Sequence, residues 1–467
     1  MFIKQLYTNC LSEAAYYIES NGEAAIIDPM RDINIYLHLA EERKASIKYI
    51  FETHFHADFV SGHLDLSKKT GAPIIFGPGA VTQFKIQHAA DGEIFKLGNI
   101  SFEVLHTPGH TLESCCYLLK NENNKPHALF SGDTLFVGDV GRPDLSSGNM
   151  GSEELAAIMY DTLQNKIIPL ADDVLVYPAH GQGSSCGKNL GPDNFSTIGE
   201  EKQNNYALQP QSKESFVSAV TSGLADPSKY FSINAKINQQ GYEAIEKLIK
   251  AGTNPLSLNT FKEKMNDDAI VIDTRTASEF SQGFIPGSVF IGLEGRFAEW
   301  AGSLLPFDKH LLLITSPGKE EEAVVRLSRV GFNTMAGFLQ GSFDTWKNAD
   351  EKTDMIIEVE ADELLMDMPH DPNLTVVDVR RETEFADGHL AEAVNLPLSD
   401  MTNLAALAQF DETQNLYIHC AGGYRSVIAA SLLKRQGIHN LRNVEGGWDK
   451  IKELEKVTIV KEANVLN

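Results

Sequence analysis

Short apolar runs that end in turn or polar residues recur through the first half of the chain. Runs of this kind, bounded by Gly, Pro, Asp or Asn, are typical of buried strands. Stretches with helical spacing of apolar residues, such as 60–69 and 152–164, fall between some of them. The alternation predicts an α/β fold. The predicted strands are EAAIIDP (23–29), IKYIFETH (47–54), APIIFG (72–77), SFEVLHTPGH (101–110), HALFSGDT (127–134) and DVLVYPAH (173–180).

Residue types that bind metals stand at the ends of four of these runs. His54, His110, Asp133 and His180 follow separate predicted strands. Strand ends that meet at one edge of a sheet are where α/β folds place their chemistry. One histidine in such a place is usually an ordinary core or surface group, but core packing does not explain the whole set. The sequence therefore predicts a metal site, with candidate ligands His54, His56, Asp58, His110, Asp133 and His180.

The second half of the chain contains an internal repeat with an offset of 105 residues. The segment VIDTRTASEFSQGFIPGSVFI (271–291) matches VVDVRRETEFADGHLAEAVNL (376–396), and GSFDTW (341–346) matches GGWDKI (446–451). Two copies of an α/β unit of about 100 residues are therefore predicted. The polar stretch 191–250 is expected to form helices that complete the first domain and then a link. The expected domains are 1–250, 255–350 and 358–458.

A second candidate active centre lies in the second copy of the repeat. The segment LYIHCAGGYRSVIAASLLKRQG (416–437) predicts a buried strand, a cysteine, a glycine-containing loop and a helix from about Ser426. Loop N–H groups and the helix N-terminus are expected to point at the sulfur of Cys420, and Arg425 adds positive charge. Both favour the thiolate and would stabilise a persulfide on the same sulfur. A buried structural cysteine would not explain the glycines and the arginine, so catalysis is predicted.

Composition narrows the classes of function. The chain has 467 residues and a formal net charge of −24, which argues against non-specific binding to nucleic acid or to an anionic membrane. No run approaches about 18 uninterrupted apolar residues, and the N-terminal segment lacks the pattern of a signal peptide. Five cysteines in a chain of this length do not form a disulfide framework. A cytoplasmic protein with reduced thiols is expected.

The motifs THFHADFVSGH (53–63), TPGHT (107–111), SGDT (131–134) and YPAHG (177–181) resemble the metallo-β-lactamase fold family over roughly residues 1–240. The resemblance implies an αββα sandwich that binds one or two metal ions. The general family pattern, H-x-H-x-D-H, has a further ligand where this chain has Phe59. A phenyl ring cannot bind a metal, so the second metal position loses a ligand and gains an apolar wall. Because Asp58 and His180 alone give weak support to a second metal, one metal is expected.

Within this superfamily the chain is most similar to the persulfide dioxygenases. The resemblance rests on THFHADFVSGH, TPGHT, FSGDTLFVGDVGRPD (130–144) and YPAHGQGSSCGKNLG (177–191). It implies a single Fe(II) per chain, bound by His54, His110 and Asp133. Two histidines and one carboxylate on one face are associated with non-haem Fe(II) oxygenases, because the remaining positions can accept O2 and a substrate sulfur.

Further residues are expected to orient ligands or substrate beside this metal. His56, Asp58 and His180 belong to this group, with His56 as a fourth ligand the alternative. Arg142 could meet an anionic or carboxylate-bearing thiol carrier, or be an ordinary surface arginine. Cys186, in the Gly/Ser-rich segment HGQGSSCGKN (180–189), could take up or pass on sulfur, or be a bystander thiol.

The Cys420 loop resembles a rhodanese domain over about 358–458, together with VVDVRRETEFADGHL (376–390) and NVEGGWDKI (443–451). The resemblance implies that Cys420 is the nucleophile that accepts sulfur. In the first copy Thr315 aligns with Cys420 and Glu320 with Arg425, so an inactive rhodanese-like domain is expected. The expected fold is α/β, an N-terminal metallo-β-lactamase sandwich followed by two rhodanese-like domains. The resemblance assigns the anion-binding loop to Ala421, Gly422, Gly423, Tyr424 and Arg425.

The resemblance as a whole is to bacterial fusions of a persulfide dioxygenase with an inactive and an active rhodanese domain. It implies that O2 oxidises the terminal sulfur of a low-molecular-weight thiol persulfide to sulfite. Sulfur transfer at Cys420 would then give thiosulfate, or in the reverse order would use thiosulfate to make persulfide. No nucleic-acid or membrane partner is expected, and a homo-oligomer is expected.

Two other functions stay open from the sequence. A thioester hydrolase of the glyoxalase II type would use a metal-activated hydroxide, and a count of metals per chain separates it from the dioxygenase. A sulfur carrier or sensor without catalysis would show no O2 uptake with a persulfide. The thiol itself also stays open: glutathione, coenzyme A, another small thiol or sulfide chains all fit.

Overall fold

The computed structural model describes residues 1–145, 150–224, 226–411, 413–455 and 457–462. The chain forms two compact units, Met1–Lys247 with Leu327–Phe332, and Leu248–Arg326 with Asn333–Asn467. None of the helices in the described segments has both the length and the apolar composition needed to cross a bilayer.

The first unit contains two six-stranded sheets, each with its strands side by side in chain order. The first sheet consists of β1 (Phe2–Thr8), β2 (Glu13–Ser20), β3 (Glu23–Ile27), β4 (Ser46–Glu52), β5 (Ile74–Phe76) and β6 (Gln87–His88). In it β1 to β3 pair antiparallel, and β3 to β6 pair parallel. The second sheet consists of β7 (Ile94–Leu97), β8 (Ile100–His106), β9 (Cys115–Lys120), β10 (Pro126–Gly132), β11 (Leu175–Pro178) and β12 (Ser196–Thr197).

The helices of this unit follow the predicted positions closely. The pattern at 60–69 forms a helix from His63, and several helices form within the polar stretch 191–250, as expected. The helices are α1 (Asn34–Glu42), α2 (His63–Thr70), α3 (Ser152–Thr162), α4 (Ile198–Asn204), α5 (Lys213–Thr221), α6 (Phe231–Gln240) and, at the boundary of the unit, α7 (Ile245–Gly252). A π-helical turn covers Leu163–Ile167, and a 3₁₀ turn covers Tyr206–Leu208.

The two sheets pack face to face. Because alternate side chains of a strand point to opposite faces, each sheet contributes one set of apolar residues to the core between the sheets and another to the core under the helices. Tyr16 of β2 joins a core between the sheets, with Phe102 and Phe130 from the second sheet. Its neighbour Tyr17 lies on the outer face of the first sheet, where Tyr36 of α1 covers it. Helices α3 and α5 cover the outer face of the second sheet. This αββα sandwich confirms the predicted fold of the first half.

The two adjacent cysteines of β9 point to opposite faces of the sheet and pack in different cores. Cys115 belongs to the core between the sheets, and Cys116 belongs to the core beneath α3. Burial raises the pKa of both thiols, to about 11 for Cys116. Both are therefore neutral packing groups rather than nucleophiles.

The second unit contains two five-stranded parallel sheets. The first consists of β13 (Pro255–Leu256), β14 (Ile270–Asp273), β15 (Val289–Phe290), β16 (Leu311–Ile314) and β17 (Met335–Leu339), in the spatial order β13-β17-β16-β14-β15. Around it lie α8 (Leu258–Asn266), α9 (Ala277–Gln282), α10 (Phe297–Leu304), α11 (Glu320–Arg329) and α12 (Ser342–Asn348).

The second sheet of this unit repeats that order. Its five strands are β18 (Ile357–Val359), β19 (Leu374–Asp378), β21 (Val394–Asn395), β22 (Asn415–His419) and β23 (Leu441–Val444). Two further short strands, β20 (His389–Leu390) and β24 (Ile459–Val460), lie outside this sheet. The order is β18-β23-β22-β19-β21, and β20 pairs with β24 separately. The helices are α13 (Ala361–Asp367), α14 (Glu382–Ala386), α15 (Leu404–Leu407), α16 (Tyr424–Arg435) and α17 (Gly447–Ile451), with a 3₁₀ turn at Leu398–Thr402. The shared topology confirms two rhodanese-like copies.

Candidate metal centre and sulfur-transfer site

Three loops at strand ends bring His54, His110 and Asp133 together. One possible ligand atom of each residue lies within 4.8 Å of the other two. His54 Nε2 is 3.9 Å and His110 Nε2 is 3.5 Å from Asp133 Oδ2. Gly132 makes this approach possible, since a Cβ there would lie 2.6 Å from the Cβ of Thr53. The structure thus assembles the three residues that the sequence singled out as iron ligands.

Hydrogen bonds fix the ring orientation of both histidines. Thr53 Oγ1 donates to Asp28 Oδ2 at 2.8 Å, so at 3.0 Å it accepts from His54 Nδ1. His110 Nδ1 donates to the carbonyl oxygen of Arg142 at 2.8 Å. Each ring therefore carries a proton on Nδ1 and turns its Nε2 toward Asp133, which is how metal-binding histidines are oriented.

The trio fits a metal ion. Both carboxylate oxygens of Asp133 are buried, and neither has a hydrogen-bond partner among the described residues. A buried carboxylate without partners is unfavourable unless a cation compensates it. Burial lowers the pKa of His54 well below its ordinary value, so its imidazole is neutral, as metal binding requires.

A second group of possible ligands lies beside the first. His56, Asp58 and His180 have ligand atoms within 4.8 Å of one another. His180 Nε2 is 3.6 Å from Asp58 Oδ2 and 3.5 Å from Asp133 Oδ1. The sequence analysis counted only Asp58 and His180 at this second position. The structure adds His56, because the loop after β4 turns its ring toward them.

His56 is also bound by two acidic side chains. Its Nε2 lies 3.0 Å from Asp28 Oδ1 and 3.5 Å from Glu52 Oε2. Burial alone would lower the pKa of His56, but these carboxylates raise it well above the ordinary value. The fully buried ring of Phe59 lies against the imidazole, with ring centroids 4.3 Å apart. Phe59 therefore forms an apolar wall, as expected. Both acids contact Nε2 of His56 and leave its Nδ1 without an acidic partner among the described residues.

Several residues of this centre were missed from the sequence. Asp28 and Glu52 end buried strands, so the rule that found His54 could have found them. Asn238 of α6 donates to the carbonyl oxygens of His56 and Phe59, both at 2.8 Å. Nothing in the sequence connects Asn238 to a loop about 180 positions earlier.

Arg142 and Cys186 take definite places near the metal centre. The buried Arg142 guanidinium forms two hydrogen bonds of 2.7 Å with Asp144, and its carbonyl orients His110. This places it in an ion pair rather than on the open surface. The Cys186 sulfur lies within 4.8 Å of ligand atoms of Asp133 and His180. Burial, aided by nearby carboxylates, raises the pKa of the Cys186 thiol well above its ordinary value, so the thiol is neutral there.

The candidate sulfur-transfer site lies between β22 and α16. The N–H of Gly423 donates to Cys420 Sγ at 3.1 Å, and Ser426 Oγ lies 3.6 Å from the same sulfur. Gly423 has φ +104°, a conformation that favours glycine. The helix begins at Tyr424, two residues before the predicted start. The loop therefore aims one backbone donor, the Gly423 N–H, and the hydroxyl of Ser426 at the sulfur, where the sequence predicted several loop N–H groups.

Arg425 is held differently from the expectation. Its guanidinium donates to both carboxylate oxygens of Glu384, at 2.7 and 2.8 Å. Burial would raise the pKa of Glu384, but these bonds lower it, so the carboxylate is charged. The charge of Arg425 is thus partly compensated, and the pair fixes the Cys420 loop to α14. The repeat aligns Glu384 with Glu279, but the sequence did not assign Glu384 to the Cys420 site.

Comparison with known proteins gives a consistent assignment. The sequence model of the metallo-β-lactamase superfamily matches residues 8–180, and that of the rhodanese-like domain matches 257–349 and 361–454. A hydroxyacylglutathione hydrolase of Tolumonas auensis is 33% identical over 195 residues, 40% of this chain and 70% of its own length. A probable hydroxyacylglutathione hydrolase of Schizosaccharomyces pombe is 29% identical over 248 residues, 48% of this chain and 91% of its own.

A solved structure extends the similarity into the second half of the chain. A crystal structure described as a metallo-β-lactamase from Staphylococcus aureus is 34% identical, with a TM-score of 0.65. The match covers 73% of this chain and 98% of that one. The chain therefore belongs to the metallo-β-lactamase superfamily and carries two rhodanese-like domains in its second half.

Proposed function

We propose that this protein is an Fe(II)-dependent persulfide dioxygenase with a sulfurtransferase site. The observation that supports the proposal is the trio of His54, His110 and Asp133, in which a carboxylate with no hydrogen-bond partner among the described residues faces two oriented imidazoles. Two histidines and one carboxylate form the facial set of non-haem iron oxygenases. Iron bound there would supply the activation of O2 beside a substrate sulfur. The net reaction is R–S–SH + O2 + H2O → R–SH + SO3²⁻ + 2 H⁺, with a low-molecular-weight thiol persulfide as substrate.

The surrounding side chains support the site in separate ways. Thr53 and the Arg142 carbonyl hold the two rings in their orientation. Asp28 and Glu52 raise the pKa of His56 and engage its Nε2, so this nitrogen is held by carboxylates rather than by a metal. Phe59 keeps an apolar ring where the superfamily pattern has a further ligand. These contacts favour a single metal bound by three residues.

Sulfur transfer at Cys420 completes the proposal. The Cys420 thiolate attacks the outer sulfur of a donor, for example thiosulfate, and sulfite leaves with the electron pair of the broken S–S bond. In the opposite direction, sulfite attacks the persulfide on Cys420 and leaves as thiosulfate. The Gly423 N–H, which already donates to Sγ, stabilises the negative sulfur in both directions.

A thioester hydrolase is the second candidate. The two curated relatives described above bear the name hydroxyacylglutathione hydrolase. Asp58 and His180 also offer ligands for a second metal, as a metal-activated hydroxide would favour, and His56 would join them once it lost the proton that Asp28 and Glu52 stabilise. The two candidates differ in metal count, in O2 uptake and in the bond that is broken.

The first experiment is metal analysis of the full chain purified anaerobically with Fe(II). It is followed by O2 uptake with glutathione persulfide and by hydrolysis of S-lactoylglutathione. The dioxygenase requires about one iron per chain, rapid O2 uptake and sulfite formation. Two metals per chain, thioester cleavage and no O2 uptake would establish the hydrolase instead. Asp133→Ala should lose iron and O2 uptake and retain sulfur transfer at Cys420, because the two centres use separate residues.

A further inference from the structure

A cavity of about 800 Å³ lies in front of Cys420 in the second unit. Both copies of the repeat line it: Gly292, Arg296 and Trp300 from the first, and Arg381 and Asn443 from the second. This volume is typical of sites that bind drug-sized organic ligands. Sulfite or thiosulfate would fill only a small part of it. The cavity therefore has room for the whole carrier of a transferred sulfur.

The wall from the first copy is built tightly against the catalytic loop. Tyr424 Oη donates to the carbonyl oxygen of Gly292 at 2.7 Å. From the other side, Arg326 donates to the carbonyl oxygens of Leu293 and Gly295, at 2.6 and 3.1 Å. A Cβ on Gly295 would lie 2.3 Å from the Tyr424 ring, so this contact needs glycine. A fixed wall of this kind reduces the ordering that ligand binding requires.

The cavity offers polar groups that suit an amide- and carboxylate-bearing ligand. Asn443 is 3% exposed, and its Oδ1 has no hydrogen-bond partner within the described part of the chain. A buried acceptor of this kind is satisfied by an N–H donor from a ligand. The side chain of Arg381 is 59% exposed and lies 3.9 Å from Glu299, which leaves it accessible to a carboxylate. Trp300 adds an aromatic surface for the body of a ligand.

We propose that the first rhodanese-like copy, which has no nucleophile of its own, forms half of the binding site for the sulfur carrier. The carrier is a low-molecular-weight thiol with amide and carboxylate groups. The inference rests on the sulfur transfer proposed at Cys420. The carrier thiolate attacks the outer sulfur of the Cys420 persulfide, the Sγ–S bond breaks, and its electron pair returns to Sγ. The products are the carrier persulfide and the Cys420 thiolate, with no other reactant needed.

The test compares two acceptors in the full chain, with thiosulfate as sulfur donor. Cyanide takes sulfur without needing a binding site for a carrier, whereas glutathione has both amides and carboxylates. In Trp300→Ala and in Asn443→Ala, the KM for glutathione should rise at least about fivefold to tenfold more than the KM for cyanide. Lys347→Ala, on an exposed part of α12 in the same copy, is the control and should change neither value.

A measurement on the unmodified chain keeps the inference testable if those variants fold poorly. S-methylglutathione has the groups of the carrier and no free thiol, so it should slow alkylation of Cys420 and compete with glutathione for the cavity. Absence of protection, or equal changes in KM for both acceptors, would overturn the inference while sulfur transfer stands. If Cys420 takes up no sulfur from thiosulfate, the proposed sulfurtransferase function itself fails.

Discussion

The two rhodanese-like copies of the second unit share one scaffold. Their sheets have the same strand order. In each copy a buried aspartate at the end of a central strand binds the arginine two positions later through both carboxylate oxygens. Each arginine also donates to a glycine carbonyl and lies 4.5 Å from the centre of an aromatic ring. The pairs are Asp273 with Arg275 and Asp378 with Arg380.

The copies differ in the loop that follows the neighbouring strand of the sheet, β16 in the first copy and β22 in the second. In the second copy the N–H of Gly423 donates to Cys420 Sγ at 3.1 Å. In the first copy Gly318 occupies the matching position, also with positive φ, but its N–H donates to Glu320 Oε1 at 3.3 Å. The first loop thus retains the backbone donor, but the carboxylate of Glu320 in the same loop accepts its hydrogen bond. The two copies therefore share a scaffold and differ in a few side chains of this loop, and differences of this size allow one fold to serve different functions.

The largest effect is expected from removing the nucleophile. Cys420→Ser should reduce sulfur transfer from thiosulfate by at least about 10³-fold, because a serine hydroxyl is not ionised at neutral pH and cannot hold a persulfide. Oxygen uptake with glutathione persulfide should persist, with sulfite accumulating in place of thiosulfate. Product analysis by chromatography measures both anions. Thr315→Ser is the matched change in the first copy and should leave both rates unchanged.

An unchanged mixture of sulfite and thiosulfate in Cys420→Ser would show that the two centres are not coupled. A loss of sulfur transfer in Thr315→Ser would show that the first loop takes part in the chemistry. Either result would break the contrast between the two copies.

The next largest effect is a loss of free energy of unfolding, and it should be equal in the two copies because they share the same buried ion pair. Arg275→Met and Arg380→Met each leave a buried aspartate without its partner, which typically costs about 3–5 kcal/mol. All three tryptophans, Trp300, Trp346 and Trp448, lie in the second unit, so their fluorescence during urea unfolding reports on this unit. Replacing both members of a pair, as in Asp273→Asn with Arg275→Met, should cost less than Arg275→Met alone. A negligible effect in only one copy would show that this copy no longer depends on the pair.

The sequence was sufficient for features in which local pattern and chemistry agree. His54, His110 and Asp133 follow buried strands, so convergence of strand ends placed them together, and the repeat predicted two similar sheets. The sequence did not predict contacts between distant segments. The hydrogen bonds of Asn238 to the metal loop, and the binding of Arg425 by Glu384, depend on how whole elements pack. Strand β1, FIKQLYT, was missed because its residues are partly exposed and form no clear apolar run.

A smaller difference in the free energy of unfolding is expected between two glutamates in the first turns of α9 and α14. Glu279 and Glu384 both accept a hydrogen bond from the backbone N–H at the start of their helices, at 3.0 and 3.1 Å. Only Glu384 also binds Arg425. Glu384→Gln should therefore lower the free energy of unfolding by about 0.5–1 kcal/mol more than Glu279→Gln, since the ion pair is partly exposed. Tryptophan fluorescence in urea measures both at neutral pH.

The pH dependence of this difference has a defined sign. The folded pKa of Glu384 is lowered from its ordinary value of 4.5, so its carboxylate contributes stability that is fully present above that pH. This stability is lost as the pH falls through the lowered folded pKa. The difference between the two variants should therefore shrink in acid, and a difference that grows below about pH 4 would contradict the ion pair as its source.

The smallest effect is expected from restoring a cysteine to the first copy. In a Cys420→Ser background, Thr315→Cys should take up no sulfur from thiosulfate, as measured by the intact protein mass. Three glutamates at the start of α11 oppose a thiolate there, and Glu320 occupies the Gly318 N–H. Pro317, at the position of Gly422, has no N–H to offer. Adding Glu320→Arg should free that donor, so sulfur uptake by the triple variant would locate the lost function in the carboxylate. Uptake by Thr315→Cys without it would instead show that the cysteine alone separates the two copies.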